Sequence, residues 1–226
     1  MLIVENLCYK NILKNITFTL EDGSFTLLAG KNGSGKSCLL RCIQGLYKHT
    51  GTVKCSGKTG LVFQDADTQI IGQTVKSDLE FGLKNIKAGK MEIEDAVKQI
   101  SSDFGIEPLM DRRPSTLSGG EKRRVAIADI MVLKPNVLLL DEPFANLDYE
   151  GVKSVLKYLI KLNKNGITIL LVSHEVEKVL ALADRLIILD SGRTAVDGEV
   201  KKIFSDTNFE KYGIHVSGPL ESMKWM

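Results

Sequence analysis

Residues 27–37 read "LLAGKNGSGKS", an apolar run followed by three glycines within six residues, then a lysine and a serine. Glycine costs backbone entropy, so a loop that only connected two elements would gain nothing from three of them. At Gly30, Gly33 and Gly35 the chain can adopt positive φ, and successive N–H groups can then turn inward to hold an anion. Apolar residues on both sides of the loop predict a strand, Phe25–Ala29, before it and a helix after it.

The spacing of Gly30 and, after four residues, Gly35-Lys36-Ser37 is that of the P-loop. In this motif backbone amides cradle phosphates, the lysine reaches the β and γ phosphates, and the hydroxyl binds Mg²⁺. The positive end of the following helix dipole adds to the attraction for phosphate. The loop therefore predicts binding of ATP or a similar nucleotide with Mg²⁺. The predicted phosphate-binding residues are Gly30, Asn32, Gly33, Ser34, Gly35, Lys36, Ser37 and Cys38.

Composition excludes several classes of function. The formal net charge of the 226-residue chain is only +2, and its basic residues are scattered among acidic ones, so we expect no nucleic-acid partner. No apolar stretch approaches the ~20 residues of a membrane helix, and the start lacks the pattern of a secretion signal, which predicts a cytoplasmic protein. Neither the four cysteines nor the three histidines have metal-site spacing, so we expect reduced structural thiols.

Short apolar runs alternate with helical patterns, which predicts an α/β fold with a mostly parallel sheet. The expected strands are Phe25–Ala29 and residues 61–63, 137–140, 167–172 and 186–189, with a hairpin at Ser191-Gly192. The expected helices are residues 38–46, 121–133, 152–162 and 176–183.

One long stretch, residues 65–135, has helical periodicity and no convincing strand, which indicates an inserted helical lobe. We expect a single domain over residues 1–204, with a nucleotide lobe formed by 1–66 and 136–204 and a helical lobe formed by 67–135. Residues 205–226 are polar and weakly patterned, which predicts a short and partly disordered tail.

Two further motifs carry chemistry. "VLLLDEPFANLD", residues 137–148, begins with a buried strand that ends in Asp141 and Glu142. One of these carboxylates could bind a metal and the other could polarise an attacking water. The alternative is that they are an ordinary acidic strand end. "LSGGEKRR", residues 117–124, begins a helix at Ser118, Gly119 and Gly120, which predicts a second anion site, a Ser118–Glu121 capping box, or both. Its basic residues 122–124 are expected to form a solvated face.

Together these motifs resemble a known family. Residues 30–37, 117–121, 137–142, 146–148 and "VSHE" at 172–175 look like the ATP-binding subunits of ABC transporters. The resemblance covers the chain to about residue 204 and implies a P-loop NTPase of ABC type, in which a small antiparallel part joins the parallel sheet. The short segment between residues 45 and 64 implies that this antiparallel part is trimmed.

The resemblance also implies a role for each matched residue. Lys36 takes phosphate, and the Mg²⁺ ligands are Ser37, Asp141 and Gln64. Glu142 is the catalytic base, His174 contacts the γ-phosphate, and Tyr9 stacks on adenine or else is a half-buried strand residue. Two subunits pack head to tail, so that Ser118, Gly119 and Gly120 of one face the ATP held by the P-loop of the other. The second subunit is either another copy or a paralogue.

Residues 62–85 resemble most closely the energy-coupling factor transporters, importers of vitamins and of cobalt or nickel ions. This implies an ATPase bound at the inner face of the cell membrane, with its helical lobe against integral membrane subunits. Ile70, Ile71 and Phe81 either floor a groove for a partner helix or belong to the lobe's core. The alternatives are another ABC transporter class, a soluble ABC clamp and, least consistent with residues 117–121 and His174, a P-loop kinase.

Overall fold

The computed structural model describes residues 1–223 and residue 225. The chain divides into two compact units. The first consists of Met1–Leu61, Asn136–Glu142 and Lys161–Met226, and the second of Val62–Pro135 and Pro143–Ile160. The second unit includes the segment that begins at Pro143, which the sequence analysis assigned to the nucleotide lobe.

The first unit is built on a six-stranded sheet. Its strands, in their order across the sheet, are Thr59–Val62 (β5), Val137–Asp141 (β6), Thr168–Val172 (β7), Phe25–Ala29 (β3), Arg185–Asp190 (β8) and Arg193–Glu199 (β9). Strands β6, β7, β3 and β8 run parallel, and β9 is antiparallel to β8. Every residue of β3, β6 and β7 is buried, as expected of central strands covered on both faces.

A second, antiparallel sheet has the order β2-β1-β4 and confirms the expected antiparallel part. Its strands are Leu2–Tyr9 (β1), Leu13–Leu20 (β2) and Thr50–Cys55 (β4). The hairpin between β8 and β9 is also confirmed. Ser191 and Gly192 have φ values of 49° and 79°, the positive pair that a two-residue type I′ turn requires.

Three helices lie wholly or partly in the first unit: Lys36–Ile43 (α1), Tyr149–Lys164 (α5) and Val200–Ile203 (α6). The helix expected over residues 176–183 was wrong. Only a single 3₁₀ turn forms there, at Val176–Lys178. The apolar spacing that suggested a helix belongs to successive turns that bury Val176, Val179 and Leu180.

The second unit contains the expected helical insertion, with helices Val75–Asn85 (α2), Lys90–Phe104 (α3) and Gly119–Met131 (α4) and no strand between residues 63 and 135. Its core includes a stacked pair, Phe104 and Tyr158, whose ring centroids are 5.0 Å apart. Within the described residues, no helix is long and apolar enough to cross a bilayer.

The tail was expected to be partly disordered, but it forms two short 3₁₀ turns, Glu210–Tyr212 and Leu220–Ser222. It buries Phe209, Ile214 and Met223. These apolar residues are too widely spaced to form a helical or strand pattern, which is why the sequence did not reveal that the segment packs.

Candidate functional site

The glycine-rich loop follows strand β3 directly and leads into helix α1. Gly30 has φ +136°, and a Cβ there would lie 2.2 Å from the carbonyl oxygen of Leu189. At Gly35, with φ +106°, a Cβ would lie 2.6 Å from a methyl carbon of Leu13. Both positions therefore favour glycine for backbone conformation, and at Gly30 the neighbouring backbone also leaves no room for a Cβ.

Lys36 is the best-buried charge of this loop, with an exposed fraction of 7%. Its ammonium donates hydrogen bonds to the carbonyl oxygens of Gly30 at 2.7 Å and Lys31 at 3.1 Å. Burial lowers the pKa of Lys36, while the carboxylates of Glu142 and Asp141 act in the opposite direction. The ammonium thus lies on the inner side of the loop, where phosphate oxygens could take over from the carbonyls as acceptors.

The other predicted loop residues differ in exposure. Ser34 is buried, and its hydroxyl has no hydrogen-bond partner within the described structure. Asn32 and Gly33 are exposed, whereas Cys38 is half-buried at the start of α1. All four cysteines are free, as expected.

Ser37 and Asp141 form an oxygen pair that suits a hard divalent cation. The Ser37 hydroxyl donates to Asp141 Oδ1 over 2.9 Å, and Asp141 is buried with an exposed fraction of 3%. Mg²⁺ prefers oxygen ligands and keeps several of its own waters, so one hydroxyl and one carboxylate are an adequate protein contribution. Among the described residues there is no cluster of three or more His, Cys, Asp or Glu side chains able to form a cage without a substrate.

Glu142 and His174 are brought together because β6 and β7 are adjacent parallel strands, with Asp141 paired to Val172. Glu142 Oε1 lies 2.8 Å from His174 Nδ1, and Glu142 Oε2 accepts the His174 backbone N–H over 3.2 Å. Glu142 has φ 49°, an uncommon conformation for a residue with a side chain. Such strain is concentrated at functional sites, which agrees with the predicted role of Glu142.

Tyr9 lies at the end of β1 and is largely covered, with an exposed fraction of 8%. Tyr47 stacks on it with ring centroids 4.9 Å apart and an angle of 12° between the rings. The Lys10 ammonium lies 5.2 Å from the Tyr9 centroid. Adenine can therefore stack on the Tyr9 ring only if Tyr47 or Lys10 moves. Tyr47 was not among the predicted site residues, although an aromatic residue in the short connection after α1 was the available signal.

In the second unit, residues 118–120 begin helix α4 with a complete capping box. The Ser118 N–H donates to Glu121 Oε2 over 2.7 Å, and the Glu121 N–H donates to Ser118 Oγ over 3.3 Å. The bond from Ser118 lowers the pKa of the Glu121 carboxyl. This helix start opens on a cleft of about 410 Å³. Its lining includes Ser118, Gly119, Gly120, Asn146 and Asp148. The capping and anion-binding interpretations therefore remain compatible.

Gln64 is exposed and lines a second cleft of about 320 Å³ in the same unit, together with Asp65 and Lys122. Its part in metal binding stays a prediction.

The expectation that residues 122–124 form a solvated face was wrong for Arg123, whose exposed fraction is 3%. Arg123 donates to the carbonyl oxygens of Phe63 and Gln64 at 2.7 and 2.6 Å. The burial of Arg123 was not predicted because a run of three basic residues resembles a solvated surface.

The comparisons with known proteins agree with these features. Residues 13–145 match the family model described as ABC transporter. The chain is 38% identical over 227 residues to the energy-coupling factor transporter ATP-binding protein EcfA2 of Clostridium perfringens, covering 92% of this chain and 80% of that protein. It is 39% identical over 211 residues to the corresponding protein EcfA of Methanocaldococcus jannaschii, covering 86% of this chain and 76% of that one.

Solved structures give the same result. One is the structure of cbiO1 from Clostridium perfringens, which is described as part of the ABC transporter complex cbiONQ. It superposes on this chain with a TM-score of 0.83 at 34% sequence identity, and the alignment covers 91% of this chain and 90% of cbiO1. A dimeric ATP-binding cassette in a post-hydrolysis state with ADP and phosphate superposes with a TM-score of 0.78 at 27% identity, covering 88% and 99% of the two chains. The chain belongs to the ATPase domains of ABC transporters and is similar to those of the energy-coupling factor type.

Proposed function

We propose that this protein is the ATP-hydrolysing motor subunit of an energy-coupling factor importer for a vitamin or a transition-metal ion. The observation that carries the proposal is the contact between Glu142 and His174 beside the Ser37–Asp141 oxygen pair. These four side chains come from the ends of neighbouring strands and from the phosphate-binding loop. Relatives named as energy-coupling factor ATP-binding proteins support the type of transporter.

Each site residue of the first unit then has a distinct task. The loop amides and Lys36 bind the phosphates, and Ser37 and Asp141 would hold Mg²⁺. When bound, Mg²⁺ neutralises charge on the phosphate oxygens. Glu142 accepts a proton from the attacking water, and His174 orients Glu142 and contacts the γ-phosphate. The two side chains bond to each other over 2.8 Å, which holds the Glu142 carboxylate in place.

Replacement of Glu142 tests this assignment. Glu142→Gln keeps the size of the side chain but cannot accept the proton, so we expect turnover to fall by roughly 10²–10⁴ while ATP affinity is retained. Glu175→Gln is the matched control, because Glu175 is an exposed carboxylate one residue beyond His174. Steady-state phosphate release and nucleotide-binding titrations give the two readouts. Hydrolysis near the wild-type rate in Glu142→Gln would remove Glu142 from the role of base.

We further propose that two such subunits enclose two ATP molecules, each between the P-loop of one subunit and the residue 118–120 helix start of the other. The open N–H groups and the cleft at that helix start support this pairing. The solved dimeric cassette with ADP and phosphate is a relative that pairs. ATP should therefore dimerise Glu142→Gln at micromolar concentration in light scattering, and Lys36→Ala should abolish the effect. A monomer at saturating ATP would instead direct the search to a paralogous subunit.

The membrane partner is proposed to dock on the second unit. Ile71 and Phe81 have exposed fractions of 64% and 47%, so the earlier alternative that they are core residues does not apply to them. Ile70, by contrast, is buried. Two exposed apolar side chains in the part of the chain that follows Gln64 suit the apolar face of an amphipathic helix. In this arrangement the protein is peripheral on the cytoplasmic face of the membrane.

A charge placed on this surface tests the docking. Ile71→Asp should abolish co-purification with membrane subunits from detergent-solubilised membranes and leave ATP affinity within about twofold. Met91→Asp is the control, because Met91 is also exposed and apolar but lies outside the proposed surface. Circular dichroism confirms folding of both variants. If Ile71→Asp still co-purifies and supports uptake, the docking surface lies elsewhere. If wild-type protein brings down no membrane subunit, a soluble ABC clamp becomes the better assignment.

A further inference from the structure

The tail, residues 205–226, belongs to the first unit, and the proposed function gives it no role. Its apolar residues Phe209, Ile214 and Met223 are buried. The Phe209 ring also packs against that of Phe204, with centroids 5.5 Å apart. Burial of these side chains offsets the entropy lost when such a segment is ordered. The tail therefore has a defined position on the first unit.

The tail contacts the phosphate-binding loop at Gly213. This residue has φ +66°, and a Cβ there would lie 2.8 Å from Cγ and 3.0 Å from Cε of Lys31. The tail backbone thus lies on the aliphatic stem of Lys31, and a side chain at Gly213 would push that stem away. The Lys31 carbonyl oxygen in turn accepts the Lys36 ammonium over 3.1 Å. Phosphate that takes over the Lys36 ammonium would therefore release a residue that the tail touches.

The tail also contacts the turn that follows His174. Val176–Lys178 is a single 3₁₀ turn, an element with little stability of its own, so contacts with its neighbours fix its position. Val176 packs into the core. The Ser217 backbone N–H donates to Glu177 Oε1, and the hydroxyl and N–H of Ser217 lower the pKa of the Glu177 carboxyl. The tail thus holds the turn through a charge-assisted hydrogen bond.

A third contact lies at the next residue of the turn. The Lys178 ammonium is 5.4 Å from the centroid of the Trp225 ring, which is within the range of a cation–π interaction. Trp225 is the only tryptophan of the sequence. Its fluorescence therefore reports on the contact between the tail and the turn.

We propose that residues 213–217 are a strap between the phosphate-binding loop and the turn after His174, and that Glu177 is a positioning residue for His174. The inference rests on the proposed function, in which His174 orients the base Glu142. The His174 side chain is 54% exposed, so its position depends on the backbone on either side of it. Strand β7 fixes one side and ends at Val172, and the strap fixes the other. Phosphate in the loop thereby influences the placement of His174 through the tail.

A split between kcat and binding tests the role of Glu177. Glu177→Ala removes the acceptor that the strap holds and leaves the nucleotide-binding residues unaltered. We expect kcat to fall about three- to tenfold, between the effects of an exposed ion pair and of a buried charge-assisted hydrogen bond. ATP affinity should stay within about twofold, because the P-loop is intact. Glu177→Gln keeps an acceptor oxygen and should restore most of the lost kcat. Glu210→Ala is the matched control, because Glu210 is an exposed carboxylate of the same tail.

Tryptophan fluorescence tests the link to the phosphate-binding loop without catalysis. Mg-tripolyphosphate should change the Trp225 emission of the wild type, with the same midpoint as its binding in calorimetry. The change should be absent in Lys36→Ala, which lacks the ammonium that binds phosphate, and smaller in Glu177→Ala. Circular dichroism counts folded protein. If Glu177→Ala does not fold, Ser217→Pro, which removes the donor N–H from the exposed side of the contact, should reproduce both effects.

The outcomes separate the strap from the proposed function. If the wild type does not hydrolyse ATP, the proposed function fails, and the fluorescence response alone decides whether the strap links the loop to the turn. If the wild type hydrolyses ATP and folded Glu177→Ala matches it in kcat, the strap inference is overturned. Unchanged Trp225 emission at saturating tripolyphosphate also overturns it. So does a parallel loss of kcat and ATP affinity, because Glu177 would then support nucleotide binding and not the position of His174.

Discussion

Asp129 on helix α4 should make the stability of this protein decrease with rising pH. Burial raises the pKa of Asp129 to about 7 from 3.8, and the carboxyl of Asp78 adds to the effect. Asp78 on helix α2 is itself buried, and its Oδ1 accepts the backbone N–H groups of Ile71 and Gly72 at 2.9 and 2.8 Å. Asp129 therefore keeps its proton in the folded protein at pH values where the unfolded chain has lost it.

The sign and size of the effect follow from this difference. Because the folded protein binds the extra proton between pH 3.8 and about 7, the contribution of Asp129 to stability is fully present below pH 3.8 and is lost as the pH rises through 7. At about 1.4 kcal/mol per pH unit, Asp129 costs roughly 1–2 kcal/mol at about pH 5 and roughly 4 kcal/mol at about pH 8.

Asp129→Asn removes the ionisation and keeps the shape. Urea denaturation at the two pH values should show a stability difference between variant and wild type that widens by roughly 2–3 kcal/mol in favour of asparagine at the higher pH. Asp95→Asn, an exposed aspartate on helix α3, should show no such widening. If the Asp129→Asn difference is the same at both pH values, Asp129 is not protonated in the folded protein and the reasoning is refuted.

Three further predictions concern the nucleotide site. Tyr47→Ala should tighten ATP binding by roughly 2- to 12-fold in equilibrium titration if adenine displaces Tyr47 from Tyr9, because about 0.5–1.5 kcal/mol of stacking no longer has to be broken. The affinity of the same variant for inorganic tripolyphosphate, which has no adenine base, should not change. Weaker ATP binding by Tyr47→Ala would place the adenine elsewhere. Gly30→Ala should lose more nucleotide affinity than Gly33→Ala, since both positions have positive φ but only the Gly30 Cβ meets backbone, at 2.2 Å; equal losses would contradict this. Ser37→Ala should raise the Mg²⁺ concentration for half-maximal hydrolysis by on the order of tenfold or more, while metal-free ATP binding persists; an unchanged Mg²⁺ requirement would exclude the hydroxyl as a ligand.

The sequence was most informative where the chemistry lies in one short segment. Residues 30–37 contain the glycines, the lysine and the hydroxyl of the phosphate site, and their spacing, with the apolar residues on both sides, predicted the strand, loop and helix that the structure contains. The apolar runs in strands β6 and β7 likewise predicted a parallel sheet. Parallel pairing then places Glu142 and His174 together, although the two residues are far apart in the chain.

Periodicity misled where apolar residues were buried by turns and not by a helix. Val176, Val179 and Leu180 have helical spacing, yet the chain forms one 3₁₀ turn and then a further turn. Spacing reports which side chains are buried, and more than one backbone path can bury the same set.

From the sequence alone we determined the α/β fold, the P-loop, the acidic strand end and the family that these motifs resemble, because each depends on residues close together in the chain. Only the tertiary structure decided that Arg123 is buried against Phe63 and Gln64, that Tyr47 covers Tyr9, and that burial raises the pKa of Asp129. These properties depend on which distant segments pack against a side chain and on how much water they exclude. The type of residue and its immediate neighbours specify neither.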